Sequence, residues 1–450
     1  MEFSRRALIG GGMAVNAQAP KPAPPNIVFL ISDDHTAADL GCYGNTHVRT
    51  PNLDRLAREG VRFANCFVAS PQCSPNRSAI FTGCAPHTTS TSRLHTPMPP
   101  WEPSFLDQLK ARGYFTAGFR KVHQGNEFNS RFDYYTADKS ARFETFFDKL
   151  PAGRPFFLHI GFTDPHRPYF KGAATPPHDP AKVRLPRFLP DSAEVRDDLA
   201  MYHDFISRMD AECGQLLALL DARGLTGSTV VFFTGDNGMP FPGAKGTCYD
   251  PGIHVPLLVR WPGATKAGTV NSHLISHVDL AATWVEMAGG AVTKKMQGKS
   301  MMGLLRVGTY QAREAVFSER NWHDNFDPIR SVRTERYKLI FNAAPHFPYR
   351  PAWDLEGSPS WKSYRELGKR GALEAHHLRL LQPARPLVEM YDLRNDPDEF
   401  HNVADDPAHA EIKQNLLKQL SEWMHQTYDY LPPAFAGPGE PRGRGWPVSL

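Results

Sequence analysis

The stretch Asn26-Ile27-Val28-Phe29-Leu30-Ile31-Ser32-Asp33-Asp34-His35 joins an unbroken apolar run to two adjacent carboxylates and a histidine. A strand with one wet face alternates apolar and polar residues. An unbroken run marks a strand covered on both faces, as in a parallel or mixed sheet. Residues 114–119, 155–162 and 229–234 read the same way. Helical patterns lie between these runs. Residues 51–60 and 103–113 each open on proline and stop at glycine, the expected asymmetry of helix ends. Residues 197–223 carry an apolar stripe through Leu199, Ile206, Met209, Leu216 and Leu220, and 277–289 form a further helix. Strand alternating with helix predicts a doubly wound α/β domain.

Working outward, a chain of 450 residues is too long for one simple core. After about residue 310 the pattern changes to short strands and turns, with a last helix over 411–428. The expected organisation is an N-terminal catalytic domain over 20–310 and a smaller α+β domain over 311–450. Residues 1–19 read as a twin-arginine-type signal peptide: Arg5-Arg6, a weakly apolar run, then Ala17-Gln18-Ala19. That predicts export, to a bacterial periplasm or the outside. No run of 18 apolar residues predicts a membrane span. A net charge of only +4, without a long basic run, gives no support to nucleic-acid or membrane-surface binding. The six cysteines form no CxxC pair, which argues against a zinc knuckle.

Each strand run ends in chemistry. The first delivers Asp33, Asp34 and His35. The second delivers Lys121 and His123, the third Asp164, His166 and Arg167, the fourth Asp236 and Asn237. Ligands of open α/β sheets bind beyond the carboxyl ends of the strands, so these residues are expected at one edge. Asp33, Asp34, Asp236 and Asn237 are hard oxygen donors, suited to Ca²⁺ or Mg²⁺ rather than zinc or copper. Two adjacent carboxylates at a buried strand end repel each other unless a cation joins them. Arg77, Lys121, His123, His166 and Lys245 add cationic or proton-transferring groups. One divalent metal among such groups predicts a sulfate or phosphate substrate. Cys73 opens a helix read over 74–83, where the helix dipole favours an anion, and Arg77 lies one turn along the same face.

The run Cys73-Ser74-Pro75-Asn76-Arg77, followed by Ser78 to Gly83, resembles the C-x-P-x-R signature of type I sulfatases. RKVHQG (120–125), DPHRPY (164–169), GDNG (235–238) and AKGTCYDPGIHVPLLVRWPG (244–263) agree with that family in order and spacing, and MYDLRNDPDEFHNVADDP (390–407) extends the likeness. Asn76 departs from it, since serine is commoner there. DPHR and the region from Arg208 to Lys245 look most like the heparan N-sulfatase (N-sulfoglucosamine sulfohydrolase) branch, although Lys245 stands where that branch has arginine.

The resemblance implies an alkaline-phosphatase-like α/β fold with a small C-terminal antiparallel sheet. It implies a sulfatase acting on sulfate esters or sulfamates of a sulfated sugar such as N-sulfoglucosamine, in glycosaminoglycan degradation. It further implies that a formylglycine-generating enzyme oxidises Cys73 to formylglycine. One hydroxyl of the aldehyde hydrate then attacks sulfur, and the resulting hemiacetal expels sulfate and regenerates the aldehyde. Asp33, Asp34, Cys73, Asp236 and Asn237 would hold one cation, Ca²⁺ ahead of Mg²⁺. Arg77 would hold the hydrate, and Lys121, His166 and Lys245 would neutralise developing charge. His166 would protonate the leaving group, and His123 would take the proton of the second hydroxyl.

The competing expectations are an arylsulfatase or sugar O-sulfatase, and a phosphate or phosphonate monoester hydrolase using Cys73 in the same way. A non-catalytic binder of sulfated glycans is the remaining one. A single metal site favours sulfate over the two-zinc phosphatases of this fold. Trp322 and His323 are candidates for the pocket mouth.

Overall fold

The computed structural model describes residues 24–431 apart from Val307; the signal sequence expected over 1–19 lies outside the described residues. An eight-stranded mixed sheet occupies the centre. Its strands are β1 (Asn26–Ser32), β2 (Val61–Phe67), β3 (Phe115–Arg120), β4 (Tyr134–Thr136), β5 (Phe156–Gly161), β6 (Thr229–Gly235), β7 (His254–Arg260) and β8 (Thr269–Ser276). Their order is β4-β3-β5-β1-β6-β7-β2-β8. β1 pairs in parallel with both β5 and β6, Ile27 lying opposite Phe157 and Val230. β7 runs antiparallel to β6 and β2, which makes the sheet mixed.

The unbroken apolarity of β1 follows from this central place. Ile27, Phe29 and Ile31 pack on one face, with Trp284 and Phe105 from the helices Val278–Met287 and Phe105–Lys110. Val28 and Leu30 pack on the other, with Leu199, Ile206 and Met209 of the long helix Ala193–Ala222. That helix begins four residues earlier than the stripe indicates, because the Ser192 hydroxyl accepts the Val195 N–H and caps it. Helix Phe105–Lys110 starts after Pro103, at a capping box made by Ser104 and Asp107. β2, β4, β7 and β8 are not among the strands expected from the sequence, and β4 has only three residues. β2 and β8 are mixed in polarity, and β7 lies inside a motif read for its chemistry.

The second sheet is antiparallel, ordered β12-β11-β10-β9: β9 (Val316–Trp322), β10 (Phe326–Arg333), β11 (Tyr337–Asn342) and β12 (Val388–Asp392). Val332, Leu339, Phe341 and Met390 pack on Leu416, Leu417 and Leu420 of the last helix, Ala410–Gln426. Glu319, Arg320, Arg330 and Lys338 are also buried, and Glu319, Arg320 and Lys338 reach connecting segments of the first sheet. The Glu319 N–H donates to the Ala69 carbonyl, and Arg320 reaches the Gly246 carbonyl. All six cysteines are unpaired. Among the described residues no helix is long and apolar enough to cross a membrane.

Candidate active site

The carboxyl ends of β1, β3, β5 and β6 converge. Close approach of their loops requires residues without side chains. A Cβ on Gly161, at the end of β5, would lie 1.8 Å from the Lys121 carbonyl oxygen. One on Gly235, at the end of β6, would lie 2.3 Å from that of His35. Asp34, Arg120 and His123 on these loops, with His95 beside them, all adopt positive φ of 62–65°. Residues other than glycine rarely hold that conformation, and it clusters at functional sites.

Helix Cys73–Thr82 starts at Cys73 itself, one residue earlier than expected, so the thiol occupies the first turn. Its Sγ lies 3.3 Å from Asp33 Oδ1 and 3.9 Å from Asp34 Oδ1. Cys73, Asp33, Asp34 and Asp236 are all buried, with ligand atoms within 4.8 Å of one another. Asn237 completes the group: its Nδ2 donates to Asp34 Oδ1 at 2.7 Å, and its Oδ1 is buried without a hydrogen-bond partner. Three buried carboxylates beside an orphaned amide oxygen fit a hard divalent cation. Asn76, the departure from the signature, ties the helix in place: its Nδ2 donates to the Asp236 carbonyl at 2.6 Å and its Oδ1 accepts the Ala69 N–H at 3.0 Å.

Cations ring the carboxylates. Arg77 Nε donates to Asp236 Oδ2 at 2.8 Å and one guanidinium nitrogen donates to the Lys121 carbonyl, while its second terminal nitrogen is buried without a partner. Lys121 Nζ contacts Asp33 Oδ2. Lys245 Nζ donates to Asp34 Oδ2 at 2.8 Å and to Asp354 Oδ2 at 2.7 Å. His166 Nε2 lies 3.7 Å from Asp34 Oδ2 and 3.5 Å from Asp354 Oδ2. Burial raises the Asp33 pKa, but Lys121, His166, Arg77 and Lys245 outweigh it and hold Asp33 well below the usual carboxylate range. Burial and the neighbouring Asp33 push Asp236 up to about 6. Burial also drives the Cys73 thiol well above its ordinary value, so a bare thiolate is disfavoured. Burial, with Lys121 and Arg77, pushes His123 down to about 2, leaving a neutral imidazole.

The residues expected at the edge are therefore there, although three take a structural part. The His35 ring is held by the Ser32 hydroxyl at 3.2 Å and the Asp39 carbonyl at 3.3 Å. Asp164 accepts hydrogen bonds from Arg208 Nε and one terminal nitrogen, each at 2.7 Å, and Arg167 grips Asp198 in a bidentate pair at 2.6 Å. Both pairs hold the loop that presents His166. Two residues at the site were not foreseen. His95 Nδ1 meets His123 Nε2 at 2.8 Å, and Asp354 belongs to the short turn Trp353–Glu356 beyond the first sheet. Neither follows an apolar strand, so the sequence carries no signal for them. Trp322 is packed between Arg93 and Phe326, and His323 is buried against Asp324.

Comparison with known proteins agrees with this geometry. The family model described as Sulfatase matches residues 25–291, more than half of the chain. The chain belongs to the sulfatase family. A second model, N-sulphoglucosamine sulphohydrolase, C-terminal, matches residues 244–359 of this sulfatase. Members of the family are sulfuric ester hydrolases that use a metal ion, and the buried carboxylate cluster can hold one. The sulfatase is 30% identical over 433 residues to an ulvan-active sulfatase of Formosa agariphila, covering 90% of this chain and 81% of that one. It is 29% identical to the N-sulphoglucosamine sulphohydrolase of Homo sapiens, covering 90% and 91%. Its fold matches a protein solved with its substrate D-glucosamine-2-N,6-O-disulfate (TM-score 0.70, 20% identity, 92% and 100% covered). It also matches the phosphonate monoester hydrolase of Agrobacterium radiobacter (TM-score 0.70, 18% identity, 90% and 96% covered).

Proposed function

We propose that this sulfatase removes sulfate from a sulfated amino sugar of the N-sulfoglucosamine type, with Cys73 converted to formylglycine as its nucleophile. The observation that carries the reading is Cys73 Sγ at 3.3 Å from Asp33 Oδ1, at a helix start, inside a ring of buried carboxylates and cations. A hydroxyl of the aldehyde hydrate in that position attacks sulfur and displaces the sugar oxygen or nitrogen. Loss of the second hydroxyl's proton then breaks the bond to sulfate and restores the aldehyde. Asp33, Asp34, Asp236 and Asn237 would hold a divalent cation, Ca²⁺ ahead of Mg²⁺, which supplies Lewis acidity beside the modified residue.

The remaining groups divide the work by position. Four carboxylates (Asp33, Asp34, Asp236, Asp354) face three permanent cations (Arg77, Lys121, Lys245), so with a divalent ion held by the carboxylates the site would carry a net positive charge suited to an anion. Lys121 and Lys245 then neutralise the sulfate oxygens, while Arg77, with its unpartnered buried nitrogen, orients the hydrate. His166, whose side chain is the most exposed in this ring, donates a proton to the leaving atom. His123, backed by His95 at Nε2 and with its Nδ1 buried and unpartnered, receives the proton that restores the aldehyde.

The human sulfamidase relative, aligned over nine-tenths of the chain, supports the amino-sugar substrate. A phosphoryl or phosphonate monoester is the second reading, favoured by the further group Asp34, His166 and Asp354 beside the first cluster. We also propose export, maturation by a formylglycine-generating enzyme, and a boundary near residue 310, six residues before β9 begins. Ion chromatography of sulfate released from glucosamine N-sulfate and N-acetylglucosamine 6-sulfate, with Cys73→Ala as control and 4-nitrophenyl phosphate alongside, tests the reading. Release from the N-sulfate alone is expected. Release from the 6-sulfate alone removes the sulfamidase assignment, and faster turnover of the phosphate removes the sulfate assignment.

A further inference from the structure

Asp354 is the outermost carboxylate of the site. Its side chain is 21% exposed, whereas Lys245 and Asp34, directly beneath it, are 2% and 0% exposed. The preceding residue, Trp353, is 80% exposed. A single exposed indole is ordinary on a protein surface. This one adjoins a carboxylate 2.7 Å from the Lys245 ammonium, on a turn fixed at several points. The Trp353 N–H donates to Asp324 Oδ2 at 2.6 Å, and Asp324 pairs with His323 Nδ1 at 2.7 Å. Leu355 is fully buried, and the Tyr349 hydroxyl accepts the Gly243 N–H from the loop that carries Lys245. The turn is therefore clamped to the catalytic loop while its indole stays open.

We infer that Trp353 and Asp354 form the subsite for the sugar ring that bears the scissile sulfate. The inference rests on the sulfated-sugar reading above. Trp353 is joined directly to Asp354, their Cα atoms about 3.8 Å apart, which places its exposed side chain at the mouth of the site. Its flat apolar face suits the C–H face of a pyranose. Asp354 is an acceptor without a proton to give, so it selects hydroxyl or amino hydrogens next to the sulfated position. The same charge disfavours a second sulfate there by like-charge repulsion. The substrate class is thus a pyranose with a hydrogen-bond donor, and no further sulfate, beside the one cleaved. Trp322 is unsuited to this part because Arg93 covers its ring at 5.1 Å.

Calorimetric titration of the calcium-loaded Cys73→Ser protein with glucosamine N-sulfate, and separately with inorganic sulfate, tests the subsite without turnover. Adding Trp353→Ala is expected to weaken the sugar about fivefold to tenfold and to leave inorganic sulfate within about twofold. Trp353→Phe should recover most of the loss. Equal weakening of both ligands, no change for the sugar, or no sugar binding to the Cys73→Ser parent would each overturn the inference. Sulfate release by the wild-type protein from the same sugar reports on the enzymatic reading separately. Trp353-dependent binding without release would sink that reading and leave the subsite standing.

Discussion

The two sheets are built on opposite principles. The three central strands β1, β5 and β6 contain no Asp, Glu, Lys or Arg, and both their faces are sealed by apolar side chains. Strand β10 alone carries Asp327, Arg330 and Arg333, all buried. Arg330 pairs with Asp429, and the neighbouring strands extend that ionic layer: Glu319 of β9 meets His87, and Lys338 of β11 contacts Asp250 and Glu399. Hydrophobic burial is non-directional and drives collapse, so the first sheet supplies a rigid platform. Buried ion pairs add little net stability, but each is satisfied in only one arrangement. The second sheet is therefore docked by directional contacts, and the turn bearing Trp353 and Asp354 belongs to the region so fixed.

The contrast can be broken at several points, beginning at the edge of the apolar sheet. Cys73→Ala should lower sulfate release by about 10⁴-fold or more with little change in melting temperature, because the nucleophile acts as one unit with its neighbours. Retention of turnover would separate the sheet edge from the chemistry. Next come two core changes of similar size. Phe29→Ala, which strips a ring packed 4.7 Å from Trp284, and Arg330→Met, which takes the bidentate partner from buried Asp429, should each cost about 3–5 kcal/mol in urea unfolding. They differ in repair. Arg330→Met combined with Asp429→Leu should regain much of the loss, whereas no partner deletion restores the Phe29 cavity. Failure of that rescue would mean that the ionic layer is as irreplaceable as the core.

A smaller effect separates the two by pH. Burial lowers the His87 pKa, but Glu319 and Asp429 outweigh it and raise it above its ordinary value. A folded value above the unfolded one, about 6.5, adds stability that is fully present below that pH and lost as pH rises through the folded value. Stability should therefore fall as pH rises through the raised folded value, and His87→Gln should flatten this part of the melting profile. The smallest effect belongs to the exterior: Arg55→Ala, which removes a pair 2.6 Å from Glu59, should change stability by less than about 1 kcal/mol.

The same contrast explains what was legible. Apolar continuity is a one-dimensional signal, so β1, β3, β5 and β6 and the groups at their ends could be read directly, and the family signature named Cys73 and Arg77. Strand β2 was missed because Arg62 and Asn65 interrupt its apolar pattern at an outer position of the sheet. Asp354 was missed for a different reason. It meets Lys245, more than 100 residues earlier, only because the second sheet docks as it does. No local spacing encodes a contact made by tertiary assembly. His95 is similar: its place beside His123 is set by the Ser74 hydroxyl accepting the His95 N–H at 2.7 Å.

One feature of the folded molecule bears on how an active copy is made. Every residue from Cys73 to Thr82 is buried, including the proline and arginine of the signature. Under the formylglycine reading, a maturase must hold this segment extended, and the finished protein offers it no grip. Maturation then has a deadline, set by how quickly the chain closes over the thiol. A culture that synthesises the chain faster than its maturase works would yield a well-folded, inert fraction that no later treatment with the maturase rescues without first unfolding it. Specific activity would then vary between preparations of equal purity and equal melting temperature, in proportion to aldehyde content.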